Sequence, residues 1–134
     1  MPSNADVSVT AFIVNASRAR LEALSGDIYA KLWVTEEAQR LWDEFSREVY
    51  PYDDVNLSLR HRFFLDHLRA FIGKYNNPLF VNVAAGLTSY PLLLDKPCRC
   101  VETDFPHVMD FKKDKILKWQ QEVSSHPARR SIIP

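Results

Sequence analysis

Three observations predict an α/β fold. Two short apolar runs, Leu79 to Val83 and Cys98 to Thr103, contain β-branched residues and are bounded by turn signals, as strands are. Each is followed by a stretch of helical character, and the runs lie about 20 residues apart, the spacing of a βαβ unit with parallel strands. Ahead of them the apolar residues recur at helical intervals. The expected organisation is one folding unit of 134 residues, with a helical region over 1–75 and a βαβα half over 76–134.

Thr35 marks the first clear helix start. Its hydroxyl suits an N-cap, Glu36 and Glu37 suit the positive end of the helix dipole, and Ala38, Leu41, Trp42, Phe45 and Val49 share one face. Pro51 stops this helix, because proline disfavours helical geometry at the residue before it. Leu57, Phe64, Leu68, Phe71 and Ile72 define the apolar side of the next helix, with Arg60, Arg62, Asp66 and Arg69 around the remainder and Gly73 as its stop. After the polar turn KYNNP, Leu79 to Val83 reads as a strand covered on both faces. Asp104-Phe105-Pro106 then turns the chain into a last helix with proline in its first turn and Met109, Ile116 and Val123 on its buried side. Ser131, Ile132 and Ile133 are expected to begin a third strand, which Pro134 cuts off before it can be completed.

Composition narrows the function classes. With 46% apolar residues, 12% aromatics and 17 basic against 17 acidic side chains, the chain has enough material for a core and no net charge drawing it to nucleic acid or an anionic membrane. No apolar run approaches the roughly 20 residues of a membrane helix, and the start MPSNADVSVT lacks the basic character of a secretory signal. A cytoplasmic location is expected. Cys98 and Cys100 sit two apart on one face of a strand, a poor geometry for a disulfide, and neither they nor His61, His67, His107 and His126 show metal-type spacing. They are read as small buried hydrophobes, and no metal site is expected.

The stretch FVNVAAGLTSY, Phe80 to Tyr90, passes from the first strand into a turn of small residues. In an open α/β sheet, ligands bind beyond the carboxyl ends of the strands. Ala84, Ala85 and Gly86 let the backbone approach a ligand there, although close strand–helix packing explains the same residues. The second strand ends in Val101-Glu102-Thr103-Asp104, which puts an acid 18 positions after Gly86. An acid at that place can hold both ribose hydroxyls of an adenosine cofactor. Asp104 is favoured over Glu102 as the one nearer the carboxyl end, with a helix cap as its competing role. A dinucleotide site fits less well, because the turn lacks the three glycines that admit a pyrophosphate.

VNVAAGLTSY followed by CVETDFPHVMDFKKDKI resembles the leucine carboxyl methyltransferase family, including its relatives that O-methylate polyketide-type products. The first stretch is similar to the family's V-N-L-G-A-G-L-D-T-R, and VETDFP to its E-V-D-x-P. Upstream, VTAFIVNASRARLEALSGDIYAKLW resembles the family's T-A-x-x-x-A-x-R-A helix and D-P-x-A turn, and LRHRFFLDHLRAFI its R-x-R-x-F-x-D helix. The resemblance covers nearly the whole chain. It implies a Rossmann-like sheet, S-adenosylmethionine as cofactor, and methyl transfer to the oxygen of a small-molecule or protein-carboxylate acceptor. It also implies cofactor contacts from Arg60 to the amino-acid carboxylate, from Ala84 and Gly86 in the turn, and from Asp104 to the ribose.

The sequence departs from the family at Ala84, which replaces a glycine, and at Thr88, Ser89 and Tyr90, which replace D-T-R. Family members continue through further strands and helices, so the chain is expected to match the amino-terminal half of such an enzyme. No catalytic residue is assigned, and His61 and His67 are read as ordinary helix residues. With the later strands absent, the first strand is expected to leave an edge that a second copy or a partner chain covers. The alternative is a non-catalytic α/β interaction domain descended from a methyltransferase.

Overall fold

The computed structural model describes residues 4–125. Helix α1 spans Asn4–Arg20 and leads through the single turn of α2, Glu22–Ser25, and a 3-10 turn, Ala30–Trp33, to α3, Glu36–Glu48, and α4, Asp53–Lys74. Strand β1, Leu79–Val83, is followed by the one-turn helix α5, Tyr90–Leu93, then by β2, Arg99–Thr103, and α6, Pro106–Ser125. The strands pair in parallel from Leu79 opposite Arg99 to Val83 opposite Thr103. The described chain is thus mostly helical around a small parallel sheet, an arrangement compatible with an α/β fold. None of its helices is long and apolar enough to cross a membrane.

Thr35 caps α3 as its chemistry dictates, accepting the Ala38 N–H at 3.1 Å. The amphipathic face of α3 then buries Ala38 and Trp42 against Ala16 of α1, with Phe12, Ile13, Phe45 and Leu57 around them. A second cluster joins the two halves of the chain: Trp33, Leu87 and Val108 are buried together, flanked by Phe12, Phe105 and Phe111. Burial of large side chains of this kind stabilises by about 1.5–3 kcal/mol each.

Several expectations are corrected. The buried stripe of α4 is Ser58, His61, Leu65 and Ile72, while Phe64 and Phe71 are exposed. In α6 the buried residues are Val108 and Lys112, and Met109, Ile116 and Val123 are only half-buried. Both stripes have helical spacing but are rotated from the apolar reading, because each contains a polar residue whose partner lies elsewhere in the chain. Gly73 lies inside the last turn of α4, which runs to Lys74, and Val49 stands exposed beyond the end of α3.

The strands are not covered on both faces. Phe80, Asn82, Cys100 and Glu102 point toward the helices, whereas Leu79, Val81, Val83 and Val101 stay 52%, 51%, 74% and 47% exposed. Partners come to one face only: Phe80 meets Tyr90 of α5, Asn82 bonds Thr88 of the turn after β1, and Glu102 meets Lys112 of α6. Cys98 precedes β2, and both thiols are free and half-buried. Burial, then the neighbouring Cys98, pushes Cys100 up to about 11. The expected third strand at Ser131 to Ile133 lies outside the described residues.

Candidate functional site

Because β1 and β2 pair in parallel and in register, their carboxyl ends emerge side by side. The turn after β1 is held to β2 by the Ala85 N–H, which donates to the Thr103 carbonyl at 3.0 Å. Ala84 and Gly86 both take left-handed backbone, with φ of 54° and 52°. Glycine adopts this conformation freely, whereas the methyl of Ala84 makes it strained by roughly 1–2 kcal/mol. Asp104 completes the tie. One carboxylate oxygen accepts the Gly86 N–H and the other the Phe105 N–H, both at 2.7 Å. Phe105, whose carbonyl accepts from Val108 and Met109, is the cap residue just before α6. Asp104 therefore braces the two turns against each other and is not the helix cap. Glu102 is separated from it by function, since its oxygens meet the Asn82 amide at 3.1 Å and the buried Lys112 ammonium at 2.7 Å.

A cavity of about 310 Å³ opens at this end of the sheet, and Arg60, Ala84, Gly86 and Asp104 all line it. These four residues come from α4, from the turn after β1 and from the end of β2. Thr10, Ala11, Val14 and Arg18 of α1 close another side. Arg60 is exposed and makes no ion pair or hydrogen bond with another described residue.

Arg18 is the lining residue that sequence reasoning missed. It is only 4% exposed, and its guanidinium is held on three sides. Nε faces Asp27 Oδ2 at 3.4 Å, while Nη2 donates to Asn15 Oδ1 at 3.1 Å and to the Leu87 carbonyl at 2.9 Å. None of these bonds uses Nη1. Burial pulls this group below its ordinary value and the Asp27 carboxylate opposes the pull. Arg18 and Asp27 both stand in VTAFIVNASRARLEALSGDIYAKLW, so a signal was present, but nothing in their spacing says that they meet.

Behind Arg18 lies a polar network that corrects the reading of His61 as an ordinary helix residue. His61 is 3% exposed, its Nδ1 lies 3.0 Å from the Ser25 carbonyl, and its Nε2 lies 3.4 Å from Asp27 Oδ2. Its ring stacks on Tyr90 with centroids 4.7 Å apart. Burial lowers the imidazole below its usual value, against the Asp27 charge and the Ser25 carbonyl. Burial likewise raises the Tyr90 phenol. Among the described residues, Asp27 Oδ1 and His61 Nε2 find no hydrogen-bond partner. His67 is exposed and its Nδ1 meets the Phe63 carbonyl four residues back at 2.8 Å.

The three residues that depart from the D-T-R pattern are all engaged in the fold. Thr88 Oγ1 bridges the Ala85 carbonyl and the Asn82 amide, Ser89 accepts the buried Trp33 indole N–H at 3.0 Å, and Tyr90 stacks on His61. Among the described residues no group of three histidine, cysteine or acidic side chains is placed to hold a metal ion.

No family model matches the chain, and neither a curated protein nor a solved structure matches it.

Proposed function

We propose that the cavity beyond β1 and β2 binds S-adenosylmethionine, and that the chain is an S-adenosylmethionine-dependent O-methyltransferase of the leucine carboxyl methyltransferase type, or the amino-terminal part of one. The observation that carries this reading is the convergence of Arg60, Ala84, Gly86 and Asp104 on one cavity at the carboxyl ends of parallel strands. The motif resemblance assigns these four residues to one ligand although they span residues 60 to 104.

The residues present fit the group. The cavity volume lies at the lower end of the range for small-molecule sites. Arg60 and Arg18 give it two guanidiniums, the donors suited to a carboxylate. Asp104 uses one lone pair of each oxygen on backbone N–H groups, and a carboxylate has about four such sites, leaving capacity for the ribose hydroxyls. When bound, the cofactor supplies an electrophilic methyl group. The chain's own part is to grip the amino-acid carboxylate, to bring the backbone of the 84–86 turn close, and to fix the ribose. Such positioning contributes much of the rate in a transfer that needs an in-line approach.

Calorimetric titration with S-adenosylhomocysteine tests the reading. Saturable binding is expected, and weakening by Arg60→Ala supports the assigned grip. A folded sample that takes up no ligand at millimolar concentration overturns it. That result favours the second reading, a non-catalytic interaction domain on the same scaffold, which rests on the structural duties of Thr88, Ser89 and Tyr90.

A further inference from the structure

The contacts of His61 pose a proton problem. A carbonyl only accepts, so the 3.0 Å contact with the Ser25 carbonyl requires a proton on Nδ1. In a neutral ring Nε2 is then a lone pair, and here it faces a carboxylate oxygen of Asp27 at 3.4 Å inside a region closed to water. Two acceptors oppose each other, and among the described residues each of the two keeps an unpartnered atom: Nε2 of His61 and Oδ1 of Asp27. A proton added at Nε2 turns this opposition into a charge-assisted hydrogen bond to Asp27. The carboxylate oxygen concerned is the same one that faces Arg18 Nε, and Arg18 lines the cavity.

We infer that Asp27 and His61 form a proton-binding relay behind Arg18, through which anion binding in the cavity is coupled to uptake of one proton at His61. The inference rests on the cavity's being an anion site, as proposed above.

The charges around His61 set the direction. Asp27 after α2 faces it directly, Arg18 from α1 faces the same Asp27 oxygen and acts on the ring through its charge, Tyr90 of α5 stacks on it, and Arg60 precedes it on its own helix. Lys112 of α6, paired with Glu102, interacts electrostatically with Asp27 as well. With His61 neutral, Arg18 and Arg60 exceed Asp27 by one positive charge, which together with burial discourages a further proton. An anion at the two guanidiniums cancels that excess and divides Arg18's attraction between itself and Asp27. Protonation of His61 then neutralises Asp27 in Arg18's place. By linkage, acid must in turn tighten anion binding, by at most about tenfold per pH unit for one proton.

The test is an NMR titration of the His61 imidazole between pH 5.5 and 7.5 in the full chain, alone and with saturating formate or S-adenosylhomocysteine, with His61→Gln identifying the resonance. We expect the bound anion to move the midpoint upward by about one pH unit. S-adenosylhomocysteine should bind several-fold more tightly at pH 5.5 than at pH 7.5, and His61→Gln should flatten that dependence to within about twofold. If formate moves His61 but S-adenosylhomocysteine does not bind, the relay stands and the cofactor reading falls. If S-adenosylhomocysteine binds with no pH dependence and no change at His61, the relay is overturned and the cofactor reading stands. A His61 midpoint indifferent to both carboxylate ligands overturns the relay, and this readout on the wild-type chain does not depend on whether the variant folds.

Discussion

At the scale of single residues, Ala84 and Asp104 show how strain and compensation meet in one turn. Ala84 holds left-handed backbone at φ 54°. The sequence-based expectation is that Ala84→Gly costs a little stability through backbone entropy. The observed φ reverses the sign, because removing the methyl relieves more strain than the entropy costs. Ala84→Gly is expected to raise unfolding free energy by up to about 1 kcal/mol in urea titration. Asp104 carries the opposite lesson. From its position alone Asp104→Asn would touch only ligand affinity. Its two oxygens, however, accept the Gly86 and Phe105 N–H groups, and an amide can serve only one of them with an oxygen. We expect Asp104→Asn to destabilise the protein by about 1–3 kcal/mol as well as weakening any ligand, with the loss visible in ligand-free denaturation.

At the scale of elements, α6 is pinned to the sheet by a buried cation. Lys112 reaches Glu102 at 2.7 Å and lies over the Trp33 ring, 5.9 Å from its centroid. Burial lowers the ammonium below its ordinary value, and Glu102 opposes that fall. Removing one partner of such a pair strands the other, so Lys112→Met is expected to cost about 3–5 kcal/mol. Adding Glu102→Gln should recover part of the loss, and a double-mutant cycle by chemical denaturation measures the coupling. This pair also explains what was legible in the sequence. The elements and the parallel pairing follow from periodicity, capping and spacing, because those signals are local. The faces of α4 and α6 do not. His61 and Lys112 occupy the buried stripes, and a reading that counts only apolar residues rotates each stripe away from them. Likewise Arg60, Ala84, Gly86 and Asp104 were selected by motif, whereas Arg18 was not, since its contact with the Leu87 carbonyl, 69 residues away, is made only by tertiary folding.

At the scale of the whole molecule, the sheet shows a bare apolar face at Leu79, Val81, Val83 and Val101, and β1 pairs with β2 alone among the described strands. Exposed backbone at a strand edge beside apolar surface favours pairing with another chain. We expect the isolated 134-residue protein to self-associate as its concentration rises in analytical ultracentrifugation. Val81→Lys with Val83→Lys should shift it toward monomer, and a monomer at high micromolar concentration would contradict the expectation. The hydrogen bond from Arg18 to the Leu87 carbonyl has a different kind of consequence, one in time. It joins positions 69 residues apart, while the Arg18–Asp27 ion pair joins positions only nine apart. During synthesis Arg18 and Asp27 leave the ribosome close together and can pair early, but Leu87 and Asp104 are made much later. The nascent chain carries a paired arginine awaiting its last acceptor, and the cavity gains its last lining residues, Asp104 and Phe105, only after the second strand has been translated.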